Sequence, residues 1–464
     1  MASPAMYPPR RRRSLAGPVV LIIIGIVFLL KNLGWSFPWW SLLADWWPVL
    51  LIIIGAIKLW EYYEAKRTGE YTSGVGGGLV VLMIFIIIFG LSMKGLKHVN
   101  NQVNWGEIHD ELGMDDDMMS MLGHRAFNFD DEVTQDLPAN ASVKVVTDRG
   151  SVAVNAWDQN QVKVVTHKRV YAKNDQDAQQ VNAATKPQVQ VSGSSITINA
   201  NTQGDGPKGV VTDLEIYLPR KVALDISTRR GDVNVTDRTA DAHIEATRGD
   251  VSVDQFTGNI NANLSHGSLH ASKVTGNVTV EGHVDDLVAM DVSGALTING
   301  DVIDELKLSK VGKGVVFHSS RSDFELAKLD GDLDMDRTDL RADNIIGPTS
   351  MNLKTKDVQL DSVSGEFRLQ GENGDVTVGF ANKPLGNVQV STSHGDIRLT
   401  MPNNAGFHLD ANTRNGSFSS DYSELGNSQN EQNAASVKGT VGKGNSKVTV
   451  STDVGDIDIR KNAS

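Results

Sequence analysis

The sequence predicts a mainly β protein, a parallel β-solenoid with about 18 residues per coil, preceded by a three-helix transmembrane region. Three observations predict it. Glycines recur at Gly258, Gly276 and Gly294, then at Gly312, Gly331, Gly347 and Gly365, each about 18 residues after the one before. An apolar residue stands two positions before most of them: Phe256, Val274, Val292, Leu329, Ile345 and Val363. A second ladder, Gly231, Gly249 and Gly267, opens alternating runs such as Val233 and Val235, or Val251 and Val253. Period-2 alternation marks a half-buried strand and glycine marks the turns between strands. A fixed period with two or three short strands per unit is how stacked coils read, because no coil can bury its apolar face alone. A β-sandwich also spaces its strands by about 8–12 residues. It has no reason to hold one register over so many units.

Composition divides the chain. At 464 residues, two or three domains are expected. Residues 1–100 carry ten Lys/Arg against Asp45, Glu61, Glu64 and Glu70, a net of +6, while the whole chain carries −12. The remainder is therefore −18, and a domain this acidic repels nucleic acid and anionic lipid. Six of the eight Trp lie between Trp35 and Trp60, so the two parts are built for different solvents. Cysteine is absent, which excludes disulfides, thiolate metal sites and a lipid-modified N-terminal cysteine.

From the N-terminus, Arg10 to Arg13 precede an apolar run from Leu15 to Leu30 with no small-residue cleavage site after it. This reads as an uncleaved first span. Trp35, Trp39, Trp40, Trp46 and Trp47 form an interfacial belt, Pro48 to Leu59 the second span and Leu79 to Leu91 the third. Each apolar core is shorter than the ~20 residues of a full span, so tilt or interfacial residues complete it. Arg10 to Arg13, Lys66 and Arg67 fall on the cytoplasmic side if there are three spans, which places the C-terminal domain outside the cytoplasm. Lys94 and Lys97 pull the other way, and a fourth span would reverse the orientation. Residues 95–135, with Asp115 to Asp117, Met118, Met119 and Met121, read as a juxtamembrane segment holding a short amphipathic helix. Strands begin at Val143. Asp175 to Ala184 reads as a helical excursion ended before Pro187, and Tyr422 to Ala435 as a polar loop. After Gly365 the ladder loosens, but its turns return at Asn373-Gly374-Asp375, His394-Gly395-Asp396, Asn415-Gly416-Ser417 and Val454-Gly455-Asp456.

Tyr217-Leu218-Pro219, followed by Leu224-Asp225-Ile226 and Gly231-Asp232-Val233-Asn234-Val235, resembles a bacterial adhesin-like family of unknown function built on Gly-Asp-Val repeats. The repeat returns at Arg248 to Val253, His266 to Ala271, Asn373 to Val378 and His394 to Leu399, so the resemblance covers about 140–460. Gly17-Pro18-Val19-Val20-Leu21, Asn32-Leu33-Gly34 and Trp47 to Gly55 are similar to the membrane module of LiaF-like envelope-stress proteins. LiaF-like proteins have a different C-terminal domain, so the resemblance carries the membrane module and not their regulatory role. Neither resemblance brings functional residues with it.

The candidate constellations read structurally. Arg230-Gly231-Asp232 and Arg248-Gly249-Asp250 suggest adhesion, but Gly-Asp is the turn chemistry of the repeat. Asp330, Asp332, Asp334 and Asp336 suggest calcium, yet Met335 and Arg341 stand where an EF-hand loop needs Gly and Glu. Their alternation with Leu333 and Met335 reads as the solvated face of a strand. His266 and His394 precede turn glycines, and Gly442-Lys443-Gly444 and Gly312-Lys313-Gly314 do not fit a P-loop. Some β-helices process polysaccharides, but between Val222 and Ser464 there is no Trp and only Tyr422 to stack on a sugar ring.

The expected organisation is a basic cytoplasmic tail over 1–14 and a transmembrane region over 15–93, with helices near 15–33, 43–60 and 75–93. A juxtamembrane linker follows over 94–135, then an extracytoplasmic adhesin-like solenoid over 136–464. The expected function is a non-catalytic solenoid in the cytoplasmic (inner) membrane, with its C-terminal domain in the periplasm. It would present a polar surface to an envelope protein or glycan. No catalytic, cofactor or metal residue is assigned, nucleic acid is excluded as a partner, and the lipid bilayer is the integral one. Some 13–15 coils at ~4.8 Å would make a rod of roughly 60–70 Å. An envelope-stress sensor acting through the helices and a polysaccharide-acting β-helix enzyme are the alternatives.

Overall fold

In each coil the chain runs along one sheet, turns a corner at a Gly-Asp or Gly-Ser pair, runs back along a second sheet and turns again. Ala223–Arg230, Ala242–Arg248 and Ile260–Leu264 stack in parallel in the first sheet, each one repeat after the last, with Ala242 on Leu224 and Ile260 on Ala242. Val233–Thr239, Val251–Thr257 and Leu269–Thr275 stack in the same way in the second. The long strands Val278–Val292 and Leu296–Val311 run through both sheets, and the inward residues of both form one continuous core. The structure is a computed structural model and describes residues 125–202, 210–381, 384–426, 429–431 and 434–462.

The chain divides into two compact units, Met1–Val103 and Asn104–Ser464, and the described residues lie in the second. The basic tail, the three expected spans and the amphipathic segment around Met118 lie outside the described residues. Among those described, no helix is long and apolar enough to cross a membrane. The first described element, strand Arg125–Asp136, lies inside the stretch read as linker. This strand pairs antiparallel with Gln161–Ala172, and its half-buried Phe127 and Phe129 pack on Val170, Ala178 and Val181. The helical excursion is present at Asp175–Ala184, capped by the Asn174 side chain, which accepts from the Asp177 backbone N–H.

Backbone needs explain the repeat's composition. A Cβ on Gly249 would sit 2.3 Å from the carbonyl oxygen of Gly231, one coil below, and φ there is +135°. Only glycine meets both conditions. The residue after each corner glycine then ties the coils together. Asp232 Oδ1 accepts from the Asp250 N–H at 2.9 Å, and Asp250 Oδ1 from the Ser268 N–H at 2.8 Å. At the other corner Asp241, Asn259 and Asn277 do the same for Asn259, Asn277 and Ala295. Asp357, Asp375 and Asp396 extend the pattern into the C-terminal coils.

A third repeated device lies in the second sheet. Asp237, Gln255, Lys273, Asp291 and Lys310 hold φ between 53° and 56°. The parallel register skips each of them, so they form a column of one-residue bulges. Each bulge shifts the strand's parity by one and turns the next residue inward: Phe256, Val274, Val292 and Val311. These include the apolar residues two places before the glycines. In the first coil the same place holds Arg238, 1 % exposed, whose guanidinium donates to the carbonyls of Leu218, Pro219 and Val222.

The solenoid departs from a uniform winding at its N-terminal end, where Ser142–Arg149 stacks between Ser195–Asn199 and Ala223–Arg230, and at two later places. Val315–His318 turns back as a hairpin into Ser322–Leu326, Leu329–Met335 runs antiparallel to Leu296–Val311, and a second hairpin into Asp339–Asp343 restores the direction. Gly331 therefore lies inside a reversed strand, not at a corner, and this member of the glycine ladder is corrected. The regular repeat then resumes from Thr349 to Phe367, and the next coil, from Phe367 to Val388, is slightly longer. Near the C-terminal end the stacking order leaves the sequence order: Ser446–Val454 lies between Val388–His394 and Phe407–Asn415. The stretch read as a polar loop holds a turn of 3-10 helix, Ser423–Leu425, and strand Gln429–Glu431. Tyr422 is buried there, edge-on to Phe407, with the Lys461 Nζ 4.6 Å from its ring centre.

Candidate functional site

A notch interrupts the outward rows of the second sheet in its C-terminal coils. Outward residues there form two columns. Gln359, Thr377, Arg398 and Asp458 stand in register in one; Gly379, Thr400 and Arg460 follow in the other, next to Asp361. Gly379 supplies no side chain, so its place in the row is open. A Cβ built there would stand 3.3 Å from Asp361 Oδ1. The bulge at Ser362, φ 57°, turns Val363 into the core and leaves Asp361 and Ser362 exposed at the rim.

The result is a concavity of about 500 Å³ whose lining includes Asp330, Asp361, Thr377, Gly379, Thr400 and Asn462. Asn344, Ser362 and Ser364 add amide and hydroxyl groups at the corner. Among the described residues, no Lys, Arg or His lines it. Neighbouring cations among the described residues are paired. Lys328 pairs with Asp330 at 2.8 Å, and Arg460 reaches Asp458 at 2.7 Å and Asp421 at 3.0 Å, while Arg398 reaches Asp458 at 3.3 Å. Burial pushes the Asp458 carboxyl up, but hydrogen bonds from Arg460, Ser419 and Arg398 outweigh it and hold the group below the usual carboxylate range. The notch thus offers carboxylate, hydroxyl and amide groups. Its Asp361 is open to water.

The residues singled out in the sequence lie elsewhere. Asp232 and Asp250 of the Arg-Gly-Asp tripeptides accept the coil-to-coil backbone hydrogen bonds described above. Asp330, Asp332 and Asp334 are on the exposed face of Leu329–Met335, with Leu333 and Met335 buried beneath, and only Asp330 reaches the notch. Asp336 caps the following hairpin, accepting from the N–H groups of Thr338 and Asp339. His266 and His394 sit at corners, and their carbonyls accept from Gly249 and Gly374. Gly312 to Gly314 and Gly442 to Gly444 are turns between strands. Among the described residues, no group of three or more His, Asp or Glu is placed to hold a metal ion. The sequence reading missed the notch. Its signal was a glycine inside the alternating run Val376-Thr377-Val378-Gly379-Phe380, which marks a bulge or a site of close approach.

Residues 268–460 match the Toastrack DUF4097 family. The notch lies wholly inside this toastrack region apart from Asn462, and the coils before residue 268 continue its register. Residues 16–106 match the LiaF transmembrane domain, which makes this a membrane-associated chain. Neither family description names an enzyme. No curated protein matches the chain. Two solved structures are similar, a candidate cell adhesion protein from Clostridium sporogenes and a candidate adhesin from Parabacteroides distasonis. Each is 11 % identical over 72 % of this chain, covering 100 % and 97 % of theirs with TM-scores of 0.16 and 0.22. At TM-scores this low, neither likeness bears on fold or function.

Proposed function

We propose that the chain is a membrane-anchored, non-catalytic scaffold in the cytoplasmic membrane. Its solenoid stands on the extracytoplasmic side and presents polar rows to an envelope partner. The observation that carries this reading is the division of labour among polar side chains. Corner Asp and Asn hold the coils together, whereas outward rows such as Asn261, Thr279 and Thr297, or Gln370, Ser391, Ser451 and Asn412, stand in register on the first sheet. Large exposed apolar side chains among the described residues (Val133, Val191, Met290, Ile303, Val454) lie on five different strands, so they make no single apolar docking face. A second reading, an envelope-stress regulator acting through its helices, draws support from the LiaF transmembrane match.

The absence of native cysteine allows a direct test of orientation. In cells whose outer barrier is opened, Ala65→Cys should be protected from a membrane-impermeant thiol reagent, while Asn101→Cys and the exposed Thr247→Cys should be labelled. Labelling at 65 with protection at 247 would put the solenoid in the cytoplasm and end the scaffold reading.

A further inference from the structure

We infer that the notch over Gly379 is a binding site for one saccharide unit, preferring an amine-bearing sugar to a neutral one and rejecting uronates and phosphosugars. The inference deepens the scaffold reading and rests on it for the source of the ligand, an envelope glycan. Three features point to this class. The concavity of about 500 Å³ has the capacity of a small-ligand site. Its groups are those that hold a polyol: the Asp361 carboxylate accepts from hydroxyls, and the Thr377, Thr400 and Asn462 side chains both donate and accept. Its charge is one-sided. Two carboxylates line it, Asp330 is answered by Lys328, and no cation among the described lining residues answers Asp361. An ammonium group on the ligand would do so, and an anionic ligand would meet repulsion.

Gly379 makes the space. Any larger side chain would project into the position where a ring would lie against the sheet, beginning with a Cβ 3.3 Å from Asp361 Oδ1. Among the described residues the notch has no aromatic platform, since Phe380 is buried, so affinity must come from hydrogen bonds on a water-exposed surface. Each unit would then bind weakly, in the millimolar range. A polymer engaging several copies of the chain would gain through multivalency.

The test uses the full chain in detergent, with glucosamine, glucose and glucuronate as probes in ligand-observed NMR titrations. Saturable binding is expected in the order glucosamine, glucose, glucuronate. Gly379→Val should weaken glucosamine binding at least tenfold, and Asp361→Asn should abolish the preference of glucosamine over glucose. If Gly379→Val loses its native circular dichroism, Asp361→Asn carries the test alone, because that side chain is exposed. Failure of all three probes to bind, binding unchanged in both variants, or binding that requires added calcium would overturn the site. Thiol labelling at 101 and 247 reads orientation independently. Normal labelling without sugar binding removes the notch and leaves the scaffold, whereas reversed labelling removes the scaffold whatever the sugars do.

Discussion

Lys168 shows how a single side chain can belong to a helix it is not part of. It lies in strand Gln161–Ala172, 4 % exposed, and its ammonium donates to the Thr185 carbonyl at 2.5 Å and to the Asn182 Oδ1 at 3.1 Å. These acceptors are at the C-terminal end of Asp175–Ala184, where carbonyls lack partners within the helix and favour a cation. Burial lowers the Lys168 pKa from 10.5 to about 8; Asp131 opposes the shift and Lys186 adds to it. Between these values the folded chain holds fewer protons than the unfolded one, so this group raises stability as pH climbs from about 8 to 10.5. Below about 8 both states are charged and the penalty is complete. Lys168→Met should lack that rise when its melting curves are compared with the parent across this window. At neutral pH it is freed of the burial penalty but leaves the Thr185 carbonyl without this donor, an opposing cost of about 1–3 kcal/mol. Parallel pH profiles would show that Lys168 stays charged throughout. None of this was legible in Thr166-His167-Lys168-Arg169, where alternation marks a strand but not which cation a distant helix will cover.

At the scale of one strand, the bulge column decides which residues enter the core. Non-glycine residues in this left-handed conformation cost roughly 1–2 kcal/mol, least for Asn and Asp and most for β-branched side chains. Gln255→Val should therefore lower stability by about 1–2 kcal/mol, while Gln255→Asn should be neutral, both read by thermal melting. Equal effects would mean that the bulge adapts to its occupant. The apolar residue two places before most of the glycines was legible. The bulge was not, because Asp237, Gln255, Lys273 and Lys310 share only the absence of branching at Cβ. The reversed segment stayed hidden for a related reason. Its hairpins turn at Ser319 to Arg321 and Asp336 to Thr338, where Ser319 and Asp336 side chains accept the backbone N–H groups that a glycine turn would leave to water. Gly331 kept the expected spacing by falling opposite Asp343 in the reversed strand.

For the whole molecule, the coil is the unit of stability. Deleting Asn259 to Gly276 joins Asn277-Val278 to Gly258 in the register that Asn259-Ile260 held, since Ile260 faces Val278 across the sheet. That variant should stay folded and protease-resistant. Deleting Asn259 to Gly267 brings a corner glycine against mid-coil sequence and exchanges inward for outward side chains. It should unfold, because several buried Ser or Asn at about 1–3 kcal/mol each rival a typical stability of roughly 5–15 kcal/mol. Equal damage from both would mean that the sequence repeat is not the structural coil. Coil length and corner chemistry were thus readable over Leu224 to Leu296, where every unit repeats the same backbone solution. The notch was not, since one absent side chain in a polar row looks the same as any strand glycine. The displaced stacking of Ser446–Val454 has its own consequence. This strand lies between Val388–His394 and Phe407–Asn415, and Ile457–Lys461 lies likewise between Ile397–Met401 and Phe418–Ser420. A chain cut at residue 445 would leave the facing edges of Val388–His394 and Phe407–Asn415 without the strand that joins them. Bare edges of this kind are templates for pairing with other chains, so residues 446–461 act as a seal against association.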